Sequence, residues 1–183
     1  RIDILVNNAA INPVHDFIEN MSSEVYDKML NVNLKSAFDL SNLCFPYLKK
    51  DNDGAIINIA SVEGLKPSFG LGLYSITKAA LIMLTKVQAK EWGKYGIRSN
   101  AIAPGPFPTK GAWDRLFPKP ISTFFNFEKS LPMKRYGNHQ ELANLAAYMI
   151  SDFAGYLNGE VVTLDGGEWV YNAGQFNKLE KIP

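Results

Sequence analysis

Tyr74 and Lys78 stand four positions apart at the start of an apolar helical pattern. Ser61 lies thirteen residues before the tyrosine, at the end of the apolar run Ala55-Ile56-Ile57-Asn58-Ile59-Ala60. A spacing of four puts both side chains on one helix face. A strand end facing the first turn of the next helix is where open α/β sheets place their chemistry. These three side chains suit proton transfer at a carbonyl or alcohol oxygen while a hydride moves elsewhere. A free phenol ionises near pH ~10, and bringing that value near neutrality takes about 4 kcal/mol. An ammonium one turn away favours the phenolate by Coulomb attraction, so Lys78 is expected to lower the Tyr74 pKa. Ser61 would donate a hydrogen bond to the substrate oxygen, with Tyr74 as general acid in reduction and base in oxidation. Tyr-x-x-x-Lys alone recurs by chance in helices; the serine at the preceding strand end is what adds weight.

The elements that must position these groups alternate strand-like and helix-like stretches, the pattern of βαβ units with a parallel sheet. Ile2–Val6 reads as a short, nearly continuous apolar strand ending in Asn7-Asn8-Ala9-Ala10. A helix follows from about Ser22, an N-cap with Glu24 in the first turn, and fades at Lys49–Gly54. Ala55–Ala60 is the second strand, about Tyr74 to Trp92 the next helix, and Ile97–Ala103 the third strand, ended by Pro104-Gly105-Pro106. Asn138 with Glu141 forms a capping box for a helix over Gln140–Ile150. Glu160–Leu164 is the last strand, ended by Asp165-Gly166-Gly167, and the tail Trp169–Pro183 has no clear period. Between strand and helix, residues 106–133 are rich in proline and aromatics, which marks a substrate loop or lid rather than a plain linker. Trp113, Leu116, Phe117 and Phe124 could line a pocket there or cover the core.

The totals narrow the classes. A chain of 183 residues with 46% apolar residues suffices for one buried domain. Nineteen basic against 18 acidic residues, net +1, give no field that selects nucleic acid or an anionic membrane. The single Cys44 excludes an internal disulfide and reads as a buried small hydrophobe, which suits a reducing compartment. His15 and His139 have no partners at ligand spacing, so no metal is expected. No apolar run is long enough to span a bilayer and no signal-peptide pattern opens the chain. The expectation is a cytoplasmic protein.

In order and spacing, these segments resemble the classical short-chain dehydrogenase/reductase family over essentially all 183 residues. Asn7-Asn8-Ala9-Ala10 is similar to its Asn-Asn-Ala-Gly turn, with Ala10 in place of glycine. Asn33 matches its helix asparagine, and Pro104-Gly105-Pro106-Phe107-Pro108-Thr109 its Pro-Gly-x-x-x-Thr turn. Leu157-Asn158-Gly159 and Leu164-Asp165-Gly166-Gly167 match the closing strand and its turn. The resemblance implies Ser61, Tyr74, Lys78 and Asn33 as the catalytic set. It implies NAD or NADP held by Asn8, Ala9, Ala10, Tyr74, Lys78, Pro104, Gly105 and Thr109. It further implies a small carbonyl or alcohol substrate, no nucleic acid or membrane partner, and a homodimer or homotetramer built through the helices from Ser22 and Tyr74.

The family's Thr-Gly-x-x-x-Gly-x-Gly phosphate loop has no counterpart in the sequence. The fold expected for residues 1–183 is therefore one partial Rossmann-like domain, the strand 4-5-6-7 half of a doubly wound parallel sheet. As a fragment with a bare apolar edge strand, it is expected to be inactive and unstable by itself. The back half, including Glu91–Arg98, Thr109–Ala112, Glu141–Ala147 and Gly166–Asn177, resembles the 2,4-dienoyl-CoA reductase branch, which generally lacks the tyrosine found here as Tyr74. Ketone/alcohol chemistry is the leading reading, with acyl thioesters among the candidate substrates. Enoyl or dienoyl reduction, and a non-catalytic protein on the same fold, are the alternatives.

Overall fold

A computed structural model describes residues 1–109 and 127–172. Among them, four strands form one sheet in chain order: β1 (Ile4–Asn7), β2 (Gly54–Ile59), β3 (Ile97–Pro104) and β4 (Val161–Leu164), every neighbouring pair parallel. This is the expected α/β Rossmann-like arrangement. Parallel strands need crossovers, and helices supply them: α1 (Ser23–Leu30) and α2 (Ser36–Leu48), then α3 (Gly72–Trp92), then α5 (His139–Ile150) after a short α4 (Phe127–Ser130). A short α6 (Glu168–Asn172) ends the described chain.

Strand alternation sends side chains to two cores. On one face Ile56 and Ile97 meet Leu48, with Leu5, Phe45 and Trp92 around them. On the other, Ile57 and Ile102 meet Met149 of α5. Strand β2 is covered on both sides and reads as a continuous apolar run, as buried parallel strands do. Strand β1 is not: Val6 pairs with Ile57 in register, yet Ile4 and Val6 are 45% and 48% exposed because α5 packs over β2 and β3. The expected apolar edge is therefore seen.

Local chemistry fixes the ends. The Ser22 hydroxyl caps α1 by accepting from the Val25 amide, and the Asn138/Glu141 capping box opens α5. At the other end of α5, the Arg98 guanidinium donates to the carbonyls of Met149, Ile150, Ser151 and Ala154, a cation on the negative pole of the helix. Asp165 closes the turn after β4 by accepting from the Gly167 and Trp169 amides. Gly166 and Gly167 there have φ of +63° and +85°, which residues with a Cβ rarely adopt.

The structure departs from the sequence reading in several places. The helix from Ser22 is not uniform: one wide π turn, Asn31–Lys35, separates α1 from α2. Pattern reading misses it because one extra residue in a turn barely disturbs apolar spacing. Within 106–133 lies α4, and Glu168–Asn172 is helical although the tail has no period. Residues 110–126, with Trp113, Leu116, Phe117 and Phe124, lie outside the described residues, as does 173–183. Cys44 is half-buried rather than buried, against the Leu48–Ile56–Ile97 cluster. Among the described residues no helix is long and apolar enough to cross a membrane.

Candidate active site

Because all four strands are parallel, β1, β2 and β3 deliver Asn8, Ser61 and Gly105 to the same carboxyl edge of the sheet. Ser61, nearly buried, begins a 3-10 turn over Val62–Gly64, and its hydroxyl oxygen accepts from the Glu63 amide at 3.1 Å. With an acceptor site so occupied, the hydroxyl proton is free to point towards the helix. Tyr74 lies there in the first turn of α3, half-buried, with the Ser61 side chain near enough to favour its phenolate. Gly64 allows this closeness: a Cβ at that position would sit 2.8 Å from the Lys78 carbonyl carbon and 3.0 Å from the Ala79 nitrogen.

Lys78 is 2% exposed. Its ammonium donates to the Ile59 carbonyl at 2.7 Å and lies 5.6 Å from the centroid of the Tyr74 ring. An ammonium has three donors, and among the described residues Ile59 is the hydrogen-bond partner it has. Two protons therefore remain for oxygens brought by a ligand. No carboxylate pairs with it there, and burial pushes its pKa down to about 8. Burial also pushes the Tyr74 phenol up to about 12, with the Ser61 side chain opposing and the Glu63 charge reinforcing the rise. The sequence led to the expectation of a lowered phenol; burial, the largest influence on Tyr74, acts in the opposite direction, with Lys78 standing against its ring.

Asn33 is 1% exposed and sits in the wide turn between α1 and α2. It joins three segments: its Oδ1 accepts from the Ile11 amide at 2.7 Å, and its Nδ2 donates to the Ile11 carbonyl at 2.9 Å and the Thr77 hydroxyl at 3.0 Å. Thr77 in turn donates to the Tyr74 carbonyl. Asn33 thus ties the loop after β1 to the helix that carries Tyr74 and Lys78. Asn8, Ala9 and Ala10 are exposed; Asn8 and Ala9 line a cavity of about 70 Å³ with Val6, Asn33 and Leu40. Pro104 and Gly105 end β3, where the Gly105 amide donates to the Leu164 carbonyl, and Thr109 is exposed five residues past that strand.

Sequence reasoning missed the polar groups behind this edge. Asn7 turns into the core, donating to Ser41 and Asn58. Asn58 donates to Thr85 and Gln88, and Ser99 also donates to Gln88. An asparagine inside Ile-Ile-Asn-Ile was the available signal, since a buried amide must find partners. Glu63, Gly64 and Thr77 were also missed. Among the described residues no cluster of His, Cys, Asp or Glu could hold a metal.

Residues 1–168 match the family model described as enoyl-(acyl carrier protein) reductase. The chain is 36% identical over 167 residues to the 3-oxoacyl-[acyl-carrier-protein] reductase FabG of Thermotoga maritima, covering 91% of this chain and 66% of that protein. It is 36% identical over 174 residues to a Bacillus subtilis protein described as a probable 2,4-dienoyl-CoA reductase, covering 93% and 67%. A solved structure of ElxO with NADP bound superposes with TM-score 0.81 at 30% identity, covering 93% of this chain and 68% of that one. The chain thus spans about two thirds of the length of the curated relatives it matches. With nearly all of its described residues inside the matched span, the chain belongs to the short-chain dehydrogenase/reductase family of oxidoreductases.

Proposed function

We propose that residues 1–183 supply the reaction centre of an NAD(P)-dependent oxidoreductase that interconverts a ketone and a secondary alcohol. The observation that carries this reading is the Ser61–Tyr74–Lys78 grouping, with a buried ammonium that keeps unspent donors at the carboxyl edge of the sheet. Such a donor set fits the hydroxyl groups of a nucleotide's ribose, and the NADP in ElxO supports a nicotinamide dinucleotide as the ligand class. Asn8, Ala9, Ala10, Tyr74, Lys78, Pro104, Gly105 and Thr109 would hold it. When bound, the nicotinamide supplies or accepts the hydride.

The protein's own part is proton handling and orientation. Ser61 directs its hydroxyl proton at the substrate oxygen, stabilising the charge that develops there. Tyr74 gives its proton to that oxygen in reduction and recovers it in oxidation. A phenol raised to about 12 holds its proton firmly, so it is protonated and ready for reduction at neutral pH. Lys78, protonated below about 8, holds its ligand by hydrogen bonding and adds positive charge beside the ring. Asn33 keeps the helix and the loop after β1 in register.

An acyl thioester is a supported substrate class, since the FabG relative is named for reducing 3-oxoacyl groups. A second reading, enoyl or dienoyl reduction, is favoured by the family model's description and the Bacillus subtilis relative. Tyr74 favours the ketone. Self-association is proposed through the exposed apolar side chains Phe38, Leu43 and Tyr47 of α2 and Ile76, Met83 and Val87 of α3. The test uses the full-length protein and Tyr74→Phe, with NADH and NADPH against 3-ketoacyl, simple ketone and dienoyl thioester substrates. Ketone turnover should fall by about 10²-fold or more; unchanged turnover overturns the assignment, and activity on dienoyl substrates alone moves it to the second reading.

A further inference from the structure

Glu63 belongs to no family motif quoted above, yet it contacts both the Ser61 turn and the start of the helix that carries Tyr74. Its backbone amide donates to Ser61 Oγ at 3.1 Å, which sets the direction of that hydroxyl. Its carboxylate reaches forward: Oε1 accepts from Ser68 Oγ at 2.7 Å, and Oε2 accepts from the Ser68 amide at 2.9 Å and from Ser75 Oγ at 3.3 Å. Ser75 is the neighbour of Tyr74 in the first turn of α3, and its single proton is shared between Glu63 and the Leu71 carbonyl at 3.0 Å. One residue thus holds the serine through its main chain and the start of the tyrosine helix through its side chain.

From these contacts we propose that Glu63 is a positioning residue that binds the Ser61 turn, the loop to Leu71 and the first turn of α3 into one rigid body. The serine hydroxyl and the phenol are thereby held at a fixed separation. This inference rests on the reading of Ser61 and Tyr74 as proton-handling groups. The length of the connection is the physical reason for the clamp. Twelve residues lie between Ser61 and Tyr74, ten of them outside α3, and a loop of that length has entropy to lose before two groups can be held in reacting geometry. Gly64 is the second fixed point, pressing the 3-10 turn against the Lys78 backbone.

Charge makes the choice of a carboxylate informative. The neighbouring cation, Lys66, is engaged with Glu168 at 3.5 Å and lies over the Trp169 ring; Lys78 lies against the Tyr74 ring from within α3. The Glu63 carboxylate is therefore held by neutral hydrogen-bond donors, and its nearness to the phenol reinforces the proton's hold on Tyr74. An ordinary loop brace would need only an acceptor. A charged one beside the phenol affects the proton as well as the position.

The experiment compares full-length protein with Glu63→Gln and Glu63→Ala, read by kcat, KM, nucleotide binding by fluorescence, and phenol titration by NMR with 13C-labelled tyrosine. Tyr74→Phe identifies the resonance. Glu63→Ala should lower kcat by about ten- to hundredfold with nucleotide Kd within about twofold of the parent. Glu63→Gln, which keeps one acceptor oxygen, should recover part of that loss. In both variants the Tyr74 resonance should titrate at lower pH. Unchanged kcat together with an unmoved titration overturns the inference; if Glu63→Ala fails to fold, the titration and kcat of Glu63→Gln decide it. Loss of turnover in Tyr74→Phe with neither kcat nor the titration changed in Glu63→Ala sinks this inference alone, whereas unchanged turnover in Tyr74→Phe sinks the reading beneath it.

Discussion

Two buried polar groups share this sheet, and they have opposite designs. Behind β1, β2 and β3, the side chains of Asn7, Asn58, Thr85, Gln88 and Ser99 spend their hydrogen bonds on one another. Only Asn7 Oδ1 and Gln88 Nε2 remain without a partner among the described residues. A few residues away, at the carboxyl edge, Lys78 is as deeply buried but, among the described residues, keeps two of its three donors unspent. The first group spends most of its hydrogen bonds within the core and fixes strands and α3 in register. The second carries the cost of burying an ammionium-type charge, which is worthwhile only if a ligand arrives to use it. Saturation separates the structural cluster from the candidate site, although both are polar and buried.

The sharpest way to break this contrast is Lys78→Met. Turnover of the full-length protein should fall by about 10²-fold or more, while stability at pH 7 should rise. The Lys78 pKa is about 8 when folded, against an ordinary lysine value of 10.5. The unfolded chain therefore binds more protons between those values, and stability gains with pH across that window as the burial penalty is relieved. Below pH 8 the penalty is fully present. Removing it, less the Ile59 hydrogen bond, should stabilise by about 2 kcal/mol in denaturant melts. A destabilised Lys78→Met would show that the lysine is structural.

Asn58→Ala probes the closed cluster and should act the other way. It takes one partner each from Asn7, Thr85 and Gln88 at once, so a loss of about 3 kcal/mol is expected from the same melts. A loss below ~1 kcal/mol would mean that water replaces the amide. Gly64→Ala tests the seam between the 3-10 turn and α3. Its Cβ meets backbone rather than a flexible side chain, so a cost of about 1–3 kcal/mol and a lower kcat are expected together. A cost in stability with full kcat would uncouple that seam from the reaction centre. Asn138→Ala, a residue outside both clusters, should cost about 1 kcal/mol through its lost cap and leave kcat alone.

Much of the site was legible because its chemistry is local in sequence. Tyr74 and Lys78 face together by helix geometry alone, and Ser61 lies at a strand end visible in its apolar run. The capping box at Asn138 and the sheet of four parallel strands were equally readable, since caps and apolar periods are short-range signals. Asn33 was found by resemblance, but its contacts were not. They reach Ile11, twenty-two residues away, and Thr77, forty-four away, which no local pattern encodes. Glu63 was illegible for a related reason: an acidic residue two past a serine has no periodic signature until the loop folds back to α3.

The sequence by itself determined the order of strands and helices, the shared helix face of Tyr74 and Lys78, and the turn chemistry at the strand ends. Those follow from spacing, propensity and capping within a few residues of each group. Only the tertiary structure decided the protonation of the site. Whether Lys78 lowers the phenol or burial raises it depends on where the ammonium rests and how much water is excluded, and both are set by packing of α3 against β2 and the Ser61 turn. Desolvation is a property of the whole surrounding volume, and no run of residues carries it alone.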